Sequence, residues 1–539
     1  MNCMKAPDRL PKIATKTSDY ELLRTSGSVY VDKTAYLYRL VSVGAESAAF
    51  FIARPRRFGK SLMLSTLRYI FLGRRKLFEG TYIGRQDYAW PKLPVLHLDM
   101  SGLPVDSKEA FMQRLTAVLQ DALSEYADRY TYDTSVAPYT NLENALVALA
   151  SGSGSVVVLV DEYDAPIGYA LDKPEMAEWV RDRLHELYIV LKRKEALIRF
   201  LMMTGVSRFA KTSVFSALNN VTSLTFRDEY ATMLGYTEEE LEANFSVGMR
   251  FHADKIGMDY GAYRAKLKQW FNGYRFAAGA ASVYNPVSIA MTLTELSDEM
   301  DTSWSDMARP ALLVNYLKNH SLDTALLKGG FRERLKTLNG PMELTDIQAV
   351  PLLFQTGYLT VEKKSALPGY LDLCIPDEEI RQDVYSLLVD HLTGSQKCWR
   401  DEINEALFLG DTPRFLAKLP ALYSHLNYGG TEMQEEKVQE FNYQRVLQVL
   451  FWALGIPCTA EETQSNMKRT DLTVRLPGMV YIFELKHGET DTARKALQQI
   501  LDNGYATSHC GLSKRVILIG LAFDPVSHRL KESVSQELS

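Results

Sequence analysis

Short apolar runs alternate with amphipathic stretches over the first two hundred or so residues. Residues 48–53 (AAFFIA), 94–99 (PVLHLD), 155–160 (SVVVLV) and 198–204 (IRFLMMT) read as buried strands. The stretch after the first, SLMLSTLRYIFL, has helical spacing at Leu62, Leu64, Leu67, Ile70 and Phe71, and 107–127 and 174–195 are also helical in pattern. Apolar strands separated by helices predict an α/β fold with a mostly parallel sheet covered on both faces. From about residue 230 the chain becomes helix-rich with aromatic punctuation, as in KQWFNGYRF (268–276) and VYNPVSI (283–289). Helix, two strands and helix then follow up to residue 392, a winged-helix-like pattern, and polar GSQK (394–397) marks a boundary. An αβββαβ-like pattern runs from about 435 to 535. The expected division is 1–229, 230–395 and 396–539.

The loop after the first strand, RPRRFGKSL (54–62), has the Gly59-Lys60-Ser61 ending of a phosphate-binding loop, G-x-x-x-x-G-K-[ST], with Arg54 where the first glycine belongs. A strand before it and a helix after it supply the context such a loop requires. In VVVLVDEYDAP, five apolar residues deliver Asp161 and Glu162 to the C-terminal end of a strand, the edge where α/β sheets bind ligands. Asp161, with Ser61, suits Mg²⁺, and Glu162 suits activation of the attacking water; Asp164 is a candidate third ligand. Thr204 and Ser207 end the neighbouring strand, where a polar group can sense a γ-phosphate. Arg208 either reaches the same charge or is solvated, and the same two readings hold for Arg56 and Arg57.

This region resembles the AAA-ATPase-like family of P-loop NTPases. The likeness is carried by YVDKTAYL (30–37), RPRRFGKSLMLSTL (54–67), LVDEYDAPI (159–167), TGVSRFAKTSVFSALNN (204–220), FNGYRF and YNPVSI, and the arginine-proline loop opening is ordinary in that family. It implies an ATP site at Arg54, Arg56, Arg57, Phe58, Gly59, Lys60, Ser61, Leu62, Asp161, Thr204 and Arg208, with residues 1–229 as the ATPase core and 230–395 as a helical lid and winged-helix-like region.

Composition narrows the picture. With 539 residues, 46% of them hydrophobic, the chain can bury several cores, and a net charge of −5 excludes coating of nucleic acid by overall basicity. Five cysteines far apart, without paired metal-ligand spacing, suggest a reducing compartment. No apolar run approaches the length of a membrane span. The expectation is a soluble, cytoplasmic protein, with homo-oligomerisation open.

The second chemical signal is RTDLTVRLPGMVYIFELKHG (469–488). Alternation predicts strands at 471–476 and 479–486 joined across Pro477-Gly478. A symmetric hairpin pairs Leu476 with Met479 and Asp471 with Glu484, and puts Lys486 on the Glu484 face. Facing carboxylates repel unless a cation lies between them. An ordinary cross-strand salt bridge is the other reading of Glu484 and Lys486. Glu440 lies on the same helical stripe as Tyr443, Leu447 and Leu450, an acid where a hydrophobe is expected, or else an acid favoured by the helix dipole.

Asp followed by Glu-x-Lys resembles PD-(D/E)xK nucleases, and DLTV…YIFELK…ALQQI is similar to the nuclease-like domain that accompanies such ATPases. The resemblance implies that Asp471 and Glu484 bind Mg²⁺, Lys486 positions water or stabilises the transition state, Gln499 supports the site, and Glu440 supplies the first-helix acid. The expected function is an ATPase module controlling a Mg²⁺-dependent nuclease for DNA, with RNA the other candidate. The alternative is a nucleotide-dependent switch whose nuclease-like domain binds nucleic acid or a partner without cutting.

Overall fold

The computed structural model describes residues 11–15, 17–42, 48–171, 173–207, 221–295, 331–340, 348–393, 397–424, 436–463, 469–505 and 515–538. The chain divides into two compact units, Met1–Tyr316 with Gly330–Glu379, and Leu317–Gly329 with Ile380–Ser539.

The first unit is built on β1 (Ala48–Ala53), β2 (Val95–Asp99), β3 (Val156–Asp161), β4 (Ile198–Gly205) and the short β5 (Thr222–Ser223), in the order β2-β3-β4-β1-β5 with every pair parallel. Every residue of β3 is buried, as its unbroken valine-leucine run requires when both faces are covered. The four expected strands are present within a residue or so of their expected ends. The two-residue β5 escapes the apolar pattern because it is too short to carry one. Helix Lys60–Phe71 begins directly after the loop at Gly59, whose φ of +87° is a left-handed conformation that glycine adopts without strain.

Farther along, β6 (Asn272–Tyr274) pairs with β7 (Val283–Tyr284). A three-stranded antiparallel sheet forms from β8 (Phe331–Arg334), β9 (Thr360–Lys364) and β10 (Tyr370–Cys374), with β10 in the middle. Helix Ala349–Thr356 precedes β9, and helix Glu378–Thr393 follows β10.

The second unit has a mixed five-stranded sheet, β11 (Cys458–Thr463), β12 (Arg469–Leu476), β13 (Met479–His487), β14 (Arg515–Phe523) and β15 (Leu530–Leu538), in chain order. Only β13 and β14 run parallel. Its two faces are sorted by parity. Tyr481, Phe483 and Leu485 join Tyr443, Leu447 and Leu450 of helix Glu436–Ala453. Val480 and Ile482 join Ile500 of helix Ala493–Asp502 on the opposite face. Even-numbered Glu484 and Lys486 therefore share the face of the Gln499 helix. Gly520, the β14 partner of Glu484, lets that helix lie close: an added Cβ would sit 2.1 Å from the Ala493 carbonyl oxygen and 2.8 Å from the Leu497 nitrogen.

Overpacking of this kind costs about 1–3 kcal/mol. Gly520→Ala should lose that much in urea unfolding monitored by circular dichroism, because backbone rather than a flexible side chain has to yield. An unchanged midpoint with an unchanged denaturant slope contradicts the close approach.

Candidate functional site

In the first unit the chemistry collects where β1, β3 and β4 end. Lys60 is buried, and its Nζ donates to the carbonyls of Arg54 (2.9 Å) and Pro55 (3.0 Å). Burial lowers its pKa, while Glu162, Asp161 and Asp164 pull the other way. Ser61 follows on the first helical turn, where N–H groups lack partners within the helix and favour an anion. Asp161 Oδ1 accepts from the Thr204 hydroxyl and from Glu162 N–H (3.1 Å). Thr204 thus sits on the strand neighbouring the acids and touches the first of them. Glu162 takes a left-handed φ of +47°, uncommon for a non-glycine residue. Burial raises its carboxyl, opposed by Lys60 and Arg56.

The remaining loop residues have other employment. Arg54 is 1% exposed, and its guanidinium donates to the carbonyls of Ala53 (2.9 Å), Thr225 (2.8 Å) and Tyr230 (3.3 Å) while lying 4.1 Å over the Phe276 ring. Burial pushes it down to about 9. This corrects its expected place among nucleotide contacts: the side chain is spent on holding the loop, and the Arg54 carbonyl is what meets Lys60. Phe58 is likewise buried, edge-on to Tyr274 (4.7 Å) and Phe276 (5.2 Å), so its ring is a wedge and its backbone is what faces the helix start. Arg56 reaches the Tyr169 hydroxyl (3.4 Å). Arg57 has a φ of +69° and feels Glu379, which offsets part of its burial. Leu62 is half-buried on the helix. Asp164 accepts from Val206 N–H (3.2 Å), Ser207 N–H (2.6 Å) and the Ser207 hydroxyl (2.5 Å). Those bonds make it a clamp between β3 and the end of β4. Arg208 lies outside the described residues.

A triphosphate fits what is present: a left-handed glycine, a buried lysine, a free helix start in a twelve-residue helix, and an acid pair at the end of β3, across the intervening β4.

The second unit gathers Asp471, Glu484, Lys486 and Gln499. Leu476 pairs with Met479, and the register continues to Leu472 with Phe483, which puts Asp471 opposite Glu484 as the hairpin arithmetic expects. Gly478 takes a φ of +80° at the turn. Glu484 is 2% exposed, and its Oε1 accepts from Gln499 Nε2 and from Lys486 Nζ (3.5 Å). Asp471 Oδ2 accepts from Leu485 N–H (2.7 Å), and its carbonyl accepts from Gln444 Nε2. Among the described residues no group of three or more His, Cys, Asp or Glu forms a metal cluster. Two hard carboxylates nonetheless match the one or two that Mg²⁺ usually takes from protein. Glu440 belongs to helix Glu436–Ala453, but its side chain lies outside the described residues.

Tyr505 escaped the sequence reading. It is 2% exposed, its phenol is raised first by burial and then by Glu484 and Asp471, and Asn503 Nδ2 donates to it at 2.9 Å. The available signal was the i, i+4 spacing of Gln499 and Asn503, followed by Gly504, whose φ of +60° ends the helix and folds Tyr505 back.

The raised Glu162 carboxyl makes a stability prediction. A carboxyl raised in the folded state resists charging there, so the penalty is absent below its unfolded-state value of about 4.3 and grows as pH rises through the folded-state value. Glu162→Gln should therefore raise the nucleotide-free thermal midpoint near neutral pH, and the gain should vanish toward about pH 4. A gain of equal size at both pH values contradicts the electrostatic origin.

The family model described as a predicted AAA-ATPase matches residues 15–215, and that of the PD-(D/E)XK nuclease superfamily matches residues 438–533. The solved structure of the Aeropyrum pernix ORC2 protein in ADPNP and ADP complexes covers 84% of this chain and 89% of its own at 14% identity and a TM-score of 0.26, too distant to bear on fold or function. An uncharacterized protein of the vnfD 5' region of Azotobacter chroococcum mcd 1 is 31% identical over 516 residues, 94% of this chain and 95% of that one. The chain belongs to the family of that Azotobacter protein, and it joins an AAA-ATPase-like domain to a C-terminal PD-(D/E)XK nuclease superfamily domain.

Proposed function

We propose that the chain binds and hydrolyses ATP at residues 54–61 with Asp161 and Glu162, and that this module controls a Mg²⁺-dependent nuclease centred on Asp471, Glu484 and Lys486, acting on DNA. The observation that supports the nuclease most directly is Glu484: a nearly fully buried carboxylate, one step beyond the last hairpin pair and across from Asp471, with Lys486 and Gln499 both on its Oε1. Burying Glu484 beside a second, half-buried acid is costly without a cation, and an exposed surface salt bridge would not need the arrangement. The domain division 1–229, 230–395 and 396–539 is part of the same proposal.

In the ATPase site Lys60 would exchange the loop carbonyls for phosphate oxygens, and Ser61 and Asp161 would hold Mg²⁺. Thr204, bonded to Asp161, fixes the orientation of that carboxylate. Glu162 would take the proton of the attacking water, and its raised pKa makes it a better acceptor than an ordinary carboxylate. In the nuclease site Asp471 and Glu484 would hold Mg²⁺, which supplies Lewis acidity and lowers the pKa of bound water. Lys486 would offset the charge that develops on the scissile phosphate. Gln499 fixes the Glu484 carboxylate, and Leu485 N–H fixes that of Asp471.

Two experiments test this reading. By titration calorimetry Lys60→Ala should weaken ATP affinity by tenfold or more, on the order of 1.4 kcal/mol, whereas Glu162→Gln should bind ATP and turn it over at least about a hundredfold more slowly. Equal ATP affinity in wild type and Lys60→Ala sinks the site.

For the nuclease, wild type should cut linear DNA with Mg²⁺ and ATP. Asp471→Ala should abolish cutting, and Lys486→Met should lower the rate about a hundredfold or more while leaving Mg²⁺ binding intact. Both variants should keep salt-sensitive DNA binding. A wild type that binds DNA or RNA yet cuts neither, with Mg²⁺ or Mn²⁺ and ATP, makes the non-cutting switch the better account.

A further inference from the structure

Arg54 carries a buried charge with no counter-charge. Its side chain is 1% exposed, and burial alone pushes it down to about 9, with no acid among the described residues opposing the shift. The guanidinium is therefore still charged at neutral pH. Nη1 donates to the carbonyls of Ala53 and Thr225, and Nη2 makes a long bond to that of Tyr230 (3.3 Å), but Nε is buried without a partner. Carbonyls bring only partial charge, and an ion held out of water without an opposite ion is costly.

The same residue lines a cavity in the first unit, and among the described residues that line it Arg54 alone is charged. Much of the wall is aromatic. Phe226 and Phe354 stack at 5.6 Å with their planes 10° apart, and Phe276 lies 4.1 Å from the guanidinium. Three polar side chains of the lining are already engaged. The Thr225 hydroxyl accepts from Ala53 N–H (3.0 Å), Gln355 Nε2 donates to the carbonyls of Leu338 (3.1 Å) and Gly340 (3.3 Å), and the Thr360 hydroxyl donates to that of Arg275 (2.9 Å). Arg54 Nε is left as a buried donor with nothing to meet it.

We propose that this cavity binds a small monovalent anion, a halide or a short carboxylate, as the counter-charge of Arg54. Nε and Nη2 form the side-on edge through which a guanidinium takes a carboxylate, and a single halide fits the same edge. One guanidinium balances one negative charge, so phosphate or sulfate would bring a second, unmatched charge among phenyl rings. The anion also bears on the loop. The carbonyls of Arg54 and Pro55 hold Lys60 Nζ (2.9 and 3.0 Å), so a ligand that fixes the Arg54 side chain fixes the residues on which Lys60 rests. The site does not depend on which nucleotide, if any, the loop holds.

The test is scanning calorimetry of the full chain without nucleotide, at constant ionic strength, with bulky, hydroxyl-covered gluconate replaced stepwise by chloride, bromide or acetate. A ligand of the folded state alone raises the midpoint as it fills its site. The midpoint should rise by about 2 °C or more and level off, and Arg54→Met should lose that response. A rise with acetate alone assigns the site to carboxylates, and a rise with all three assigns it to small monovalent anions at large; either supports the proposal. Wild-type crystals grown in bromide or acetate give a reading that does not require the variant to fold: the anion should lie beside Arg54 Nε, with an anomalous signal for bromide. No saturating response to any of the three, an equal response in Arg54→Met, or water beside Arg54 Nε in both crystals overturns the site. Bromide in the crystal without a midpoint response is an adventitious ion only, and overturns it too.

Discussion

Taking charge out of water at the ends of apolar strands is the constraint around which both units are arranged. An ion moved from water into a protein interior costs several kcal/mol unless partners meet it. At the end of β3 Asp161 is met by Thr204, and Asp164 by Val206 and Ser207. Lys60 is met by two loop carbonyls, and Arg54 by three carbonyls and an aromatic face. On β13 Glu484 is met by Gln499 and Lys486. Many of the local features described above exist to deliver those partners. Gly205 is an example: a Cβ there would lie 2.6 Å from both Asp164 Oδ1 and Tyr163 Cε1, so only glycine lets the clamp close on β4.

The same constraint explains the unusual opening of the phosphate loop. The Arg54 guanidinium and the Phe58 ring both point into the FNGYRF segment, and Pro55 packs where a Cβ on Gly357 would come within 2.6 Å of it. Tyr274 donates to the Gly357 carbonyl (2.9 Å), and Arg275 N–H donates to Thr360 (2.7 Å) at the start of β9. The Arg54, Pro55 and Phe58 side chains are therefore consumed in binding the loop to the later part of its own unit. Of the loop's polar side chains, Arg56, Arg57, Lys60 and Ser61 are not spent on that segment.

Periodicity carried most of the fold because buried parallel strands have to be apolar throughout, and β1, β2, β3 and β4 are long enough to show it. The hairpin register was also legible, since a side-chain period of two leaves Asp471 and Glu484 no choice once Leu476 meets Met479. Direction was not legible. The loop arginines look alike in sequence, yet Arg54 turns inward to carbonyls far along the chain at Thr225 and Tyr230, while Arg56 reaches Tyr169. Asp164 is a candidate ligand because spacing places it near Asp161, but spacing does not reveal that its donors are Val206 and Ser207, some forty residues away. Tyr505 was missed for the same reason: its position depends on how a helix ends.

Direction also decides how the second site is arranged. The paired residues of β12 and β13 run from Leu476 with Met479 to Leu472 with Phe483 and stop there. One step farther, Leu485 N–H is taken by the Asp471 carboxylate instead of by the backbone of β12. A side chain is longer than a carbonyl, so the two strands have to part at the point where Asp471 and Glu484 face each other. Gln444 holds the Asp471 carbonyl from one helix, and Gln499 holds Glu484 from the helix on the opposite face. The two acids therefore lie at the end of a ladder and are braced from both sides of the sheet.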